Sequence, residues 1–191
     1  IWEIDGAGRL TPSAPVASFG GVRYAAFDEA WDAASASVSS PAAVILLADA
    51  ALAEPLTVNA GRDIEIESSG DHSLTRGFAD DRPMFTVLGA LTLGESGGAI
   101  TLDAGGGAGS DRSVARVESG GALAVRSHAV LTGGRAEKGG GVRMEGGRLE
   151  ITGGRFEDNL ADLGGGLYAA GQASVRLDTS DPFVDSTLYF E

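Results

Sequence analysis

Gly153-Gly154-Arg155-Phe156-Glu157-Asp158-Asn159-Leu160-Ala161-Asp162-Leu163-Gly164-Gly165-Gly166-Leu167 is the stretch whose reading decides the fold. A glycine pair, a Phe-x-x-Asn and a glycine run follow one another. The chain then enters a short strand that begins the same pattern again. One such rung is only suggestive, so internal repetition has to be tested first, because a fixed period decides between a solenoid and any ordinary domain.

Working outward from the rung, apolar and polar residues alternate with period 2 in segments of three or four residues. They fall into three columns. The first holds 44–47, 85–87, 115–117, 142–144 and 167–169; the second 56–58, 91–93, 123–125, 149–151 and 175–177; the third 64–66, 100–102, 130–132, 155–156 and 183–184. In the second column the steps from Leu91 to Leu123, Leu149 and Val175 are 32, 26 and 26 residues. Doubly wound α/β chains need helices of about 10–15 residues between strands, and these gaps are too short and too rich in glycine. An antiparallel sandwich would not require a constant register of glycine pairs. Stacking the columns in parallel gives one apolar interior, with Leu91 and Leu93, Leu123 and Val125, Leu149 and Ile151, and Val175 and Leu177 pointing in. Gly97-Gly98, Gly120-Gly121, Gly146-Gly147 and Gly164-Gly165 then fall at corners, where a Cβ would obstruct the bend. The expected fold is all-β, a right-handed parallel β-helix of about five three-strand coils.

Before the coils lies a helix over about 27–36, with Phe27, Ala30, Trp31 and Ala34 on one face. Solenoid ends are open sheet edges, and this helix is placed to cap the first one. Residues 1–18 read as irregular, and 22–24 as a short strand. The organisation is thus an N-terminal segment and capping helix over 1–43 and a β-helix over 44–191, a single domain expected to be a fragment of a longer protein. At the other end no cap is evident, which leaves a continuing solenoid or an irregular cap using Tyr189 and Phe190. One connection departs from the period: residues 67–83, read as a polar excursion and therefore the first place to seek a binding loop.

The segment Phe156 to Ala161 followed by Gly164-Gly165-Gly166-Leu167 resembles the FxxN and GGA(I/L/V) repeats of chlamydial polymorphic outer-membrane proteins. Gly97-Gly98-Ala99-Ile100 and Gly120-Gly121-Ala122-Leu123 match the glycine motif, and Gly139-Gly140-Gly141-Val142 is a variant. FxxN occurs once, because the preceding coil has Arg135-Ala136-Glu137-Lys138 there, and Asn59 and Asn159 are the only asparagines. The helix with the 44–49 strand is similar to the start of pectin-lyase-like β-helices. The resemblance implies an extracellular, adhesive, passenger-like or wall-associated region of a bacterial surface protein.

Composition narrows the function classes. The net charge of −13 disfavours nucleic acid and anionic lipid, since both are bound through Lys and Arg. There are no cysteines, which excludes disulfides and thiolate metal sites. No apolar run is long enough for a helical span, so membrane insertion of this segment is not expected. A carbohydrate-active β-helix would need carboxylates gathered over a cleft or an Arg base. Asp80 with Asp81 and Asp103 with Asp111 are the carboxylate candidates, and Arg116, Arg143 and Arg176 the arginine ladder, which read more simply as surface ion pairs. Gly106-Gly107-Ala108-Gly109-Ser110-Asp111 matches part of a calcium nonapeptide, but one copy cannot complete a shell shared between turns. The leading expectation is a non-catalytic, secreted or cell-surface adhesin-like module, with no cofactor or metal. Its partner would be a surface protein or glycan of a host or neighbouring cell, met through Asp71, His72, Arg76, Asp80, Asp81 and Arg82. A carbohydrate-active or carbohydrate-binding β-helix and a structural spacer are the alternatives.

Overall fold

The computed structural model describes residues 14–107, 109–178 and 182–191, and the backbone of 2–4 and 10–12. It is a parallel β-solenoid of about five turns, with one helix among the described residues. Three long sheets run its length. Sheet I stacks Leu56–Val58, Phe85–Val87, Ala115–Val117, Val142–Met144, Leu167–Ala169 and Leu188–Phe190. Sheet II stacks Ala42–Leu46, Asp63–Ser68, Ala90–Gly97, Ala122–Arg126, Arg148–Thr152 and Ser174–Leu177. Sheet III stacks Ala50–Leu52, His72–Arg76, Ile100–Asp103, Ala129–Thr132, Arg155–Glu157 and Phe183–Val184. A smaller sheet IV, of Asp111–Arg112, Arg135–Lys138 and Leu160–Leu163, forms on the corner between sheets III and I.

Parallel pairing in register places like beside like. Ile64, Leu91, Leu123, Leu149 and Val175 form one inner row of sheet II, and Ile66, Leu93, Val125 and Ile151 the next, which exposed Leu177 continues in register. In sheet III, Leu74, Leu102, Leu131, Phe156 and Phe183 stack in the same way. Phe156 is fully buried and its ring lies 4.8 Å from that of Phe183. Each such side chain removed from water contributes about 1.5–3 kcal/mol, and no single coil could bury them alone.

The later coils lie as the columns predict, and the first coils do not. Residues 44–46 belong to sheet II, 56–58 to sheet I and 64–66 to sheet II. The reason is two unread strands of sheet III: Ala50–Leu52, which fell in no column, and His72–Arg76, taken as part of a polar excursion, which pairs with Ala50–Leu52 and Ile100–Asp103. The single inward apolar residue of His72–Arg76, Leu74, is fully buried, and one residue carries too little periodicity to mark a strand. Of the expected excursion, 69–71 is a tight corner between sheets II and III and 77–83 remains as the loop.

The helix Phe27–Ala36 has the expected bounds and buries Phe27, Ala30, Trp31 and Ala34. Trp31 packs between Phe27 at 6.4 Å and Phe85 at 5.8 Å, closing the N-terminal end of the prism. The region read as irregular also helps. Ala17–Phe19, hairpinned to Val22–Tyr24, pairs antiparallel with Ala42–Leu46 and so covers the first edge of sheet II. Trp2–Ile4 and Leu10–Pro12 form a separate antiparallel pair, while Gly6 and Gly8 lie outside the described residues. Tyr189 and Phe190 are not an irregular cap. They belong to a sixth strand of sheet I, where Tyr189 stacks on Tyr168 at 5.6 Å.

Corners decide which residues the rung tolerates. A Cβ on Gly134 would lie 1.9 Å from the Gly140 carbonyl oxygen, so the backbones there approach too closely for any side chain. Beside it, Asn159 is buried; its Nδ2 donates to the Leu131 carbonyl at 2.8 Å and its Oδ1 accepts from the Gly134 N–H at 2.9 Å. Its own N–H donates to the Ser186 hydroxyl at 3.2 Å, so this one residue ties three successive turns. Asn159→Ala leaves a buried N–H and a buried carbonyl without partners. It should lower unfolding free energy by about 2–4 kcal/mol in urea denaturation, and a loss below about 0.5 kcal/mol would contradict this role.

Candidate functional site

The length of the corner between sheets III and I varies from turn to turn, and this is where the molecule departs from a plain prism. Loop 77–83 occupies it in one turn and loop 104–113 in the next, of which residue 108 lies outside the described residues and Asp111–Arg112 is the first strand of sheet IV; the strands Arg135–Lys138 and Leu160–Leu163 follow. Gly77 starts the first excursion, its N–H donating to the Leu52 carbonyl at 2.9 Å. The two loops are then fastened to each other. Asp81 accepts from the Ser110 N–H at 2.9 Å and from the Ser110 hydroxyl at 2.6 Å. These bonds hold the Asp81 carboxyl below the usual range.

Loop 77–83 is also folded on itself. Arg76 donates to the Asp80 carbonyl at 3.2 Å and to the Arg82 carbonyl, and its guanidinium lies 4.1 Å from the Phe78 ring centroid. Burial, with the positive charge of Arg112 nearby, pushes Arg76 down to about 10, still charged at neutral pH. Arg82 donates through Nε to Asp80 Oδ2 at 2.9 Å.

Asp111 turns the other way, toward sheet I, where it lies 3.2 Å from Arg116 and 3.7 Å from Arg143. Its carboxyl is nevertheless raised: burial outweighs the two arginines. Arg116 also contacts Glu118 at 2.8 Å, and Arg143 contacts Glu145. Arg116 and Arg143 are register neighbours on sheet I, but Arg176 lies on sheet II, against Glu150 and Asp178. The expected three-membered arginine ladder is therefore two separate ion-pair clusters. Asp103 accepts from the Gly105 N–H at 2.7 Å, so all four carboxylates named as acid–base candidates hold neighbouring groups. Among the described residues no three His, Asp or Glu side chains come together to hold a metal ion.

Of the six residues expected at the site, the structure gathers Arg76, Asp80, Asp81 and Arg82 and leaves out two. Asp71 and His72 stand at the other end of the strand His72–Arg76, at the corner between sheets II and III. There Asp71 accepts from the Ala99 N–H at 2.9 Å, and His72 Nδ1 lies 3.9 Å from Asp49. Sequence reasoning missed the rest of the surface. A cavity of about 310 Å³ opens beside loop 104–113, lined by Gly109, Arg135, Ala136, Leu160, Ala161 and Asp162. The signal for it was the 25-residue step from Arg135 to Leu160, close to the coil period.

No family model, curated protein or solved structure matches the chain.

The loop clamp gives a pH prediction. Because folding depresses the Asp81 pKa, its bonds to Ser110 are present above the unfolded value near 3.9 and are lost as pH falls through the folded value. Asp81→Ala should reproduce that loss at neutral pH. In hydrogen exchange the Ser110 amide should lose protection about fivefold or more, while global stability moves by less than about 1 kcal/mol, as for an exposed contact. Unchanged exchange at Ser110 would contradict the clamp.

Proposed function

We propose that the chain is a non-catalytic, adhesin-like module of the bacterial cell surface or exterior, which meets a surface protein or glycan of another cell through the corner formed by loops 77–83 and 104–113 and sheet IV. The observation that carries this reading is the bonding of Asp81 to Ser110, which fixes two excursions to each other above a rigid prism. Preordered loops lose less entropy on binding than free ones, and loops on rigid scaffolds are where recognition concentrates. The net charge of −13 and the pairing of the outward arginines with carboxylates are in keeping with a partner other than nucleic acid or anionic lipid. Among the described residues no helix is long and apolar enough to cross a membrane.

The test is binding of the purified chain to a panel of cells and glycans, alongside a variant with 77–83 replaced by a Gly-Ser linker. A second variant should carry Glu150→Ala and Arg176→Ala on the outer face of sheet II. Binding should fall about tenfold or more with the first and stay unchanged with the second. Equal binding by both variants, or release of sugar product by the unaltered chain, would contradict the proposal.

A further inference from the structure

Arg112 and Arg135 are directly opposite each other across the antiparallel pair in sheet IV. Directly opposed residues share a face with Cβ atoms about 4.5–5.5 Å apart, and like charges there repel. Elsewhere on this molecule guanidiniums meet carboxylates: Arg116, Arg126, Arg143 and Arg176 each have one within contact. Among the described residues Arg112 and Arg135 have no ion pair, and the Nε of each is buried without a hydrogen-bond acceptor. Asp81 lies close enough to Arg112 to be influenced by it, but its oxygens are bonded to Ser110. A buried N–H of a charged group without an acceptor is costly, and here two cross-strand neighbours each leave one. The about 310 Å³ cavity opens against Arg135, within the range of small-ligand sites.

We propose that this cavity is a binding site for an organic carboxylate, held by Arg135 in its lining and by Arg112, the residue opposite it across the strand pair. A planar carboxylate accepts paired bonds from a guanidinium fork and would relieve the repulsion between the two arginines. The walls decide between anions. Ala136, Leu160 and Ala161 give an apolar lining suited to the carbon skeleton of an acid, and Asp162 with the net charge of −13 disfavours a dianion such as phosphate. The group comes either from a free organic acid or from an acidic side chain displayed by a partner protein. The inference rests on the binding reading above only for the second of these sources.

The test is nuclear magnetic resonance of the Nε–H groups of Arg112 and Arg135 during titration with butyrate, butyramide and inorganic phosphate. A blocked Gly-Glu-Gly peptide and its Gln analogue form the other arm. Butyrate should move both resonances saturably, butyramide should not, and phosphate should act more weakly. Arg135→Gln should weaken the response about tenfold or more, with a melting temperature equal to or above that of the parent, because a repulsion is removed. Tighter binding of the Glu peptide than of butyrate assigns the carboxylate to a partner chain; equal or weaker binding assigns it to a free acid. Absence of saturation with both acids, equal response to butyramide, or a lower melting temperature of Arg135→Gln would overturn the site. Cell binding that persists without any carboxylate response would overturn this inference alone, and a carboxylate response without cell binding would leave it standing while the adhesive reading fails.

Discussion

Parallel stacking in register is the constraint on which everything else in this molecule depends. Each strand buries only a few residues, at most three, so no coil can exclude water by itself. Register places Leu149 on Leu123 and Phe156 on Leu131, converting isolated apolar residues into continuous rows. Those rows fix the strands to a common spacing, and the spacing forces tight corners. The corners in turn demand glycine where backbones touch, as at Gly134 and Gly140, and a buried amide where two turns leave unpaired groups, as at Asn159. The N-terminal end closes because Trp31 completes the same packing from a helix and Ala17–Phe19 completes the hydrogen bonding from a hairpin.

The same stacking shapes the surface. Outward residues form rows as well, and on sheet II Glu150 contacts Arg126 and Arg176 from the turns on either side and Arg148 on its own strand. Such exposed pairs contribute about 0–1 kcal/mol each and set surface charge more than stability. The corner between sheets III and I is free of the constraint. Its length can change without disturbing an inner row, so loops, a short sheet and a cavity accumulate there. The proposed recognition surface lies at that corner, where the sequence can vary at least cost to the core.

How far the sequence could be read follows from how many residues mark each strand. Ala122–Arg126 and Arg148–Thr152 each bury two alternating aliphatic residues, and their columns were legible. His72–Arg76 buries only Leu74 among polar neighbours, so it looked like loop and, with Ala50–Leu52 also unread, shifted the first coils by one column. The capping helix was legible because four buried residues follow its period. Sheet IV was not, because Arg135–Lys138 is held by backbone pairing to Leu160–Leu163 and has no apolar alternation of its own. For the same reason Arg76, Asp80, Asp81 and Arg82 were found together, while Arg112 and Arg135, brought face to face by that pairing, were not. Asp71 and His72 were grouped with them only because the strand between was unseen.

The central claim is tested most directly by distances along one outer row of sheet II. Ala43, Glu65, Thr92, Ala124, Glu150 and Arg176 are successive register partners. With one spin label at position 43 and the second at 124, 150 or 176, the separations should rise by one strand spacing at a time, near about 14, 19 and 24 Å. Separations that fail to rise in equal steps, as when these strands are divided between two facing antiparallel sheets, would contradict the solenoid.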